Sequence, residues 1–223
     1  IHHWCVDGVA SCSILMEYLI SNFNLKIINY VPKIGLYGLN AINVKELTAF
    51  KPDLIIITDY ALNYSDISNL EDVLNTPVVI IDHHINELPR KELYFNPVAY
   101  GAKQYTYPST TWVIKELLNL PLNLRVILGV VGDVGIHRIV NYSAYSEVIK
   151  YISSEGKSLD DLHKLTLLID SCYYSMDYEA VKKAPKKLMN YGEDLEKALR
   201  DNEWVMLYHN IGYELSRLLL NAN

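Results

Sequence analysis

Three short stretches of the chain, residues 25–31, 54–58 and 78–82, are almost continuously apolar and rich in β-branched side chains. Runs of that length and composition predict strands buried on both faces, as in a parallel sheet. A briefer run over residues 1–5 predicts a first strand, cut short at its start. Between them the spacing changes. Over residues 10–22, Ile14, Leu15, Tyr18 and Leu19 recur on one helical face, and residues 64–74 predict a second helix with Ser65 as its capping candidate. Pro52 and Pro77 punctuate the approaches to the two strands that follow them.

Beyond Asn96-Pro97 the strand pattern stops. Residues 108–120 predict a helix opening on Ser109-Thr110-Thr111, and residues 122–131 a more apolar helix running into Gly132-Asp133. From Ala144 onward the pattern is helical, with segments at 158–171, 177–190 and 203–220 broken by Gly156, Gly192 and Asn202. The expectation is an α/β chain, with a doubly wound, mainly parallel sheet over residues 1–140 and a helical extension over 141–223. Ligands of such open sheets bind beyond the carboxyl ends of the strands.

With 223 residues, half of them apolar, the chain can bury one substantial core. Its formal charge of −6 speaks against a globally basic nucleic-acid wrapper but leaves room for a local patch. Lys182, Lys183, Lys186 and Lys187 form one basic stretch, for which a solvated helix face is the plainer explanation. Cys5, Cys12 and Cys172 show neither paired nor zinc-type spacing, which favours a reducing, cytoplasmic setting. The abundance of Ile, Tyr, Asn and Lys is compatible with an archaeal source, in which case a nucleoid association is expected. No apolar run approaches the roughly 20 residues of a membrane helix, so no membrane partner is expected. Because the chain starts at Ile1 and its first motif follows at once, we expect upstream residues that complete the first strand.

Four fragments carry the residues suited to chemistry: His3-Trp4-Cys5-Val6-Asp7-Gly8 followed by Ser11, then Thr58-Asp59, Asp82-His83-His84 and Gly132-Asp133. Three of them fall at predicted strand ends. Hard divalent cations take carboxylate oxygens, manganese also accepts imidazole nitrogen, and such ions neutralise a phosphodiester while activating water. Gly8 is expected to turn the backbone into a helix from Val9, whose first amides can face a phosphate. Each fragment alone has a plain structural reading: His83-His84 as a capping or partly buried pair, Asp133 as a turn residue, Ser109 and Thr110 as caps. The convergence of Asp7, Asp59, Asp82 and Asp133 on one edge is what points to a cation. Asp82 is equally suited to orient a ligand histidine from behind.

These motifs, in this order, resemble those of the DHH phosphoesterase superfamily, most closely its RecJ-like branch, over residues 1 to about 140. The resemblance implies a two-manganese site that cleaves phosphodiesters, with Asp7, Asp59, His83 and Asp133 as ligands of one metal and His3 beside them. It implies that His84 contacts phosphate or metal, that Ser109 and Thr110 match a substrate-contacting turn, and that His84 and Asp82 serve catalysis in an active protein.

The departures matter as much. RecJ-like proteins with activity read His-x-Asp-x-Asp-Gly, whereas this chain has Cys5 at the first Asp position. A thiol is softer than a carboxylate and largely protonated near neutral pH, so the expectation is at most one Mn2+. Trp4 beside it either crowds the space for water or faces outward. The Gly-rich, His-containing segment that marks the DHH-associated C-terminal domain is not found. In these respects the chain resembles the degenerate RecJ relatives of the cell-division-cycle protein forty-five group and their archaeal counterparts. That likeness implies a replication scaffold which joins GINS and the MCM motor in the replicative helicase. The alternative is a manganese-dependent phosphodiesterase or exonuclease acting on single-stranded DNA.

Overall fold

The computed structural model describes residues 1–62, 64–85 and 93–221. Its first part runs α1 (Val6–Phe23), α2 (Ala41–Phe50), β1 (Ile55–Thr58), α3 (Tyr64–Leu74), β2 (Val78–Ile81) and β3 (Tyr94–Phe95). The rest is helical: α4 (Thr110–Leu117), α5 (Leu124–Val134), α6 (Tyr145–Ser154), α7 (Leu159–Tyr174), α8 (Tyr178–Tyr191), α9 (Leu195–Leu199) and α10 (Asn202–Asn221). The three strands form one parallel sheet in the order β1-β2-β3, with Ile55 opposite Val78 and Ile80 opposite Tyr94. An α/β fold around a parallel sheet is the architecture the sequence predicts. In both β1 and β2 three of the four residues are buried, which is why their sequences do not alternate.

The strand expected over residues 25–31 is a correction. That segment holds no regular strand, and its one backbone bond to the expected first strand runs from the His2 amide to the Tyr30 carbonyl (3.2 Å). The physical reason lies in its neighbour: residues 1–3 pair with β1 through a single parallel bridge, His2 to Thr58, before the chain turns into α1. A ladder cannot propagate across so short a partner. Strand β3, with two residues, is too brief to show a period. Helix α2 begins at an Asn40–Asn43 box, in which each side-chain oxygen accepts the other's amide at 3.1 Å.

Helices α4, α5, α7, α8 and α9 start on side-chain caps, whereas α6 follows Ala144 without one. Ser109, Asn123, Ser158, Asp177 and Asp194 each accept an amide from the first turn that follows. Ser65, expected as a cap, lies inside α3. Helix α5, buried along nearly all its length, packs against α1, α4 and α7. Helices α7 and α8 also pack on α1, so one hydrophobic core runs through the sheet region and the later helices alike. Residues 222 and 223 of the expected extension lie outside the described residues. Of the basic stretch on α8, Lys187 pairs with Asp201 at 2.8 Å and Glu203 at 2.7 Å, and Lys183 lies 3.8 Å from Glu203. Half of that stretch thus ties α8 to the start of α10. No helix among the described residues is long and apolar enough to cross a membrane.

Candidate metal centre

Asp7, Asp59, Asp82 and His83 meet at the carboxyl ends of the strands, and all four are buried. Helix α1 starts at Val6 rather than Val9, so Asp7 sits in its first turn. Gly8 is needed for a different reason from the turn expected of it. A Cβ there would lie 2.4 Å from the His3 carbonyl oxygen, so glycine permits the close passage of the motif over its own helix. Asp59 follows β1 directly and adopts the left-handed conformation (φ 54°), which redirects its carboxylate at the end of the strand. Helix α5 continues to Val134, which places Asp133 in its last turn instead of beyond it.

The carboxylate of Asp7 accepts the amides of Thr110 (2.7 Å) and Thr111 (3.1 Å), the first two residues of α4. A helix start favours negative charge, so α4 fixes the Asp7 carboxylate with its first two amides. The Thr110 hydroxyl donates to Asp59 Oδ1 at 3.0 Å. This packing depends on Gly129 of α5, where a Cβ would stand 2.1 Å from Thr111 Oγ1 and 2.3 Å from Asp7 Oδ1. Gly132 plays the same part against Val6.

His83 supplies the test of whether a cation fits. Its Nδ1–H donates to the Tyr107 carbonyl at 3.3 Å, which in the neutral form of the ring leaves the lone pair on Nε2. That nitrogen is buried and has no hydrogen-bond partner among the described residues. It faces Asp133 Oδ2 at 3.4 Å, Asp59 Oδ1 at 3.8 Å and Asp7 Oδ2 at 3.9 Å. An unpartnered buried acceptor among three carboxylates is costly without a cation and suited to one. The donor set of three oxygens and one imidazole fits manganese. Asp7, Asp59, His83 and Asp133, each named from sequence as a ligand, are therefore brought together. When bound, such an ion neutralises developing phosphate charge and lowers the pKa of water.

Asp82 faces another way. Its Oδ1 accepts the His83 amide (2.8 Å) and the His84 Nδ1–H (2.7 Å), and the Asn96 amide group holds the His84 carbonyl at 2.8 Å. Asp82 thus orients the histidine pair. Burial works to lower the His84 pKa, but the hydrogen bond and charge of Asp82 outweigh it and raise the ring to about 8. With 42% of its side chain exposed, His84 stands at the mouth of the centre. Burial also raises Asp59 well above the ordinary carboxylate range, with Asp7, Asp82 and Asp133 adding to the effect. Asp133 is raised by burial, while His83 pulls against it.

Cys5 stands at the other oxygen of Asp59. Its thiol donates to Asp59 Oδ2 at 3.0 Å, and burial followed by the charges of Asp59 and Asp7 pushes its pKa up. His3 Nδ1 lies 3.9 Å from the same oxygen. Burial, with His84 nearby, lowers the His3 pKa to about 4, so the ring is neutral at pH 7. Trp4 does not face outward: it is buried, packed on the His3 ring and edge-on to Tyr37 and Tyr60. Ser109 is fully buried, caps the Trp112 amide and bonds Thr111 Oγ1, which occupies the hydroxyl expected to meet substrate.

Sequence reading missed Asp170. From α7 its Oδ1 accepts the Val6 amide at 2.8 Å, taking a helix-start donor that was expected to face phosphate. Burial raises its pKa to about 7. The available signal was one acidic residue in the otherwise uncharged run 165–172. Gly129 and Gly132, three apart on the apolar helix α5, were a second such signal.

The model of the DHH family, N-terminal domain, matches residues 2–130. The chain belongs to the DHH family. Among solved structures it is similar to one described as a crystal structure of exonuclease RecJ bound to manganese, with a TM-score of 0.69 and 17% sequence identity. That match covers 99% of this chain and 63% of the other, so the chain spans under two thirds of that protein's length. No curated protein has a sequence that matches this one. This DHH-family member with a RecJ-like fold places two groups of side chains able to ligate a metal, His3-Cys5-Asp59 and Asp59-His83-His84, side by side around Asp59.

Proposed function

We propose that this DHH-family chain holds one manganese-type cation through Asp7, Asp59, His83 and Asp133, is catalytically degenerate, and works as a scaffold. The observation that carries the proposal is Cys5, whose thiol proton rests on Asp59 Oδ2 at 3.0 Å. Two-metal hydrolysis needs two ions about 3.5–4 Å apart that clamp the attacking and leaving oxygens. A protonated thiol in the position of a hard oxygen does not hold the second of them as manganese. On this reading the chain belongs to a replication assembly, beside GINS and the MCM motor, with the DHH fold serving as a platform. The partner identities rest on resemblance to the degenerate RecJ relatives alone.

The intact four-ligand set favours a second reading, a weak manganese-dependent phosphodiesterase or single-strand exonuclease. Purified protein with Mn2+ and labelled single-stranded DNA separates the two. The scaffold reading expects no turnover, one Mn2+ by electron paramagnetic resonance, and association with GINS at micromolar concentration. Turnover abolished by Asp59→Ala and raised by Cys5→Asp would establish the enzyme instead. Absence of any GINS association would remove the scaffold assignment.

A further inference from the structure

We propose that His3, Cys5 and Asp59 form a second cation site, contiguous with the first, that takes a thiophilic ion of the zinc type in preference to manganese. The inference rests on the one-cation reading above, because Asp59 serves both positions.

The three side chains offer one sulfur, one nitrogen and one oxygen, all within 4.8 Å of one another. Sγ and Nδ1 lie 3.0 Å and 3.9 Å from the same atom, Asp59 Oδ2. A tetrahedral zinc with S at about 2.3 Å and N or O at about 2.0–2.2 Å needs ligand atoms roughly 3.5 Å apart. Small rotamer adjustments reach that spacing. The two oxygens of Asp59 face different surroundings: Oδ2 toward Cys5 and His3, Oδ1 toward Thr110 and the orphaned His83 Nε2. One carboxylate therefore bridges a hard donor set and a soft one.

The soft ligands are held in place without a metal. Cys5 caps α1 through the Gly8 amide at 3.5 Å, and the His3 ring stacks on Trp4 with centroids 4.2 Å apart. His3 Nδ1 accepts the Cys5 amide at 3.4 Å, so its lone pair already points into the cluster, and a bond of that length yields readily. Cys5 and His3 are both partly exposed, which leaves a solvent-facing fourth position. On binding, the thiol proton leaves to solvent and thiolate and carboxylate together offset the dication. Thiolate ligation selects zinc-type ions, and zinc exceeds manganese in intrinsic affinity for mixed N, O and S donors.

The test titrates metal-free full-length chain with Co2+ and follows thiolate-to-metal charge-transfer absorption, while Mn2+ in the same samples is counted by electron paramagnetic resonance. One equivalent of Co2+ is expected to give the band even with Mn2+ bound. The band is expected to vanish in Cys5→Ser, to weaken in His3→Ala, and to persist in Cys12→Ser and in Asp133→Asn, the last of which loses Mn2+. Zn2+, unlike Mn2+, is also expected to protect Cys5 from iodoacetamide, read by peptide mass, which needs no variant. A band that survives Cys5→Ser, or native protein that binds Mn2+ but shows no band and no protection, overturns the thiophilic site and leaves the one-cation reading standing. A cobalt band without any Mn2+ binding does the reverse.

Discussion

Asp82 and His84 share a 2.7 Å hydrogen bond at the mouth of the centre, and the pH response of the site is concentrated in that pair. The folded pKa of His84, about 8, lies above its ordinary 6.5. The stabilisation linked to its protonation is therefore fully present below pH 6.5 and is lost as pH rises through about 8. In metal-free protein, a histidine NMR titration should place His84 near 8, and in Asp82→Asn its midpoint should fall, because burial is then opposed only by the weaker influence of Asp133 and Asp7. A midpoint unmoved by Asp82→Asn would show that another group sets it. Gly129 gives a second test at this scale. Gly129→Ala forces a methyl against Thr111 and Asp7, and should cost about 1–3 kcal/mol by overpacking, with weakened Mn2+ binding. Chemical denaturation together with a Mn2+ titration checks both. The aspartates and histidines were legible in the sequence because their chemistry is written in their side chains. Gly129 was not, and Thr110 was legible only as a cap or substrate contact, since the roles both play exist only where α4, α5 and Asp7 come together.

Among the elements, α1 is held at its start by a carboxylate from α7. The folded pKa of Asp170, about 7, exceeds its ordinary 3.8. Stability linked to its proton is present below about pH 4 and is lost as pH rises through about 7. Asp170→Asn keeps an oxygen for the Val6 amide and removes the titration, so metal-free variant should lose less stability than the native chain between pH 4 and 7. Asp170→Ala, which leaves that donor unpaired, should be less stable by about 1–3 kcal/mol. Urea denaturation across this pH range reads both, and parallel pH profiles for native and Asn variant would refute the account. Helices were the most legible elements, because periods of 3.6 persist over many residues; their starts shifted by a few positions where caps such as Ser109 and Asp177 decide. The misread segment 25–31 has strand composition but lacks a pairing partner of adequate length. Composition reports burial, and pairing is a property of the neighbour.

At the scale of the molecule, the metal-free centre crowds Asp7, Asp59 and Asp133 around one orphaned nitrogen, and a cation relieves that crowding. Mn2+ at 100 times its dissociation constant should stabilise the native chain by about 2.7 kcal/mol. Thermal unfolding should show a rise in Tm for native protein and for Cys5→Ala, and none for Asp133→Asn or His83→Ala. An equal rise in all four would place the ion elsewhere. The Val6 amide is secured by a residue 164 positions later in the chain. A ribosome that adds roughly 5–20 residues per second takes on the order of ten seconds or more to deliver that partner. The motif around Val6 is thus synthesised well before the residue that secures it. A nascent chain caught before residue 170 carries the Val6 amide unpaired, so the start of α1 is completed only once α7 has been made.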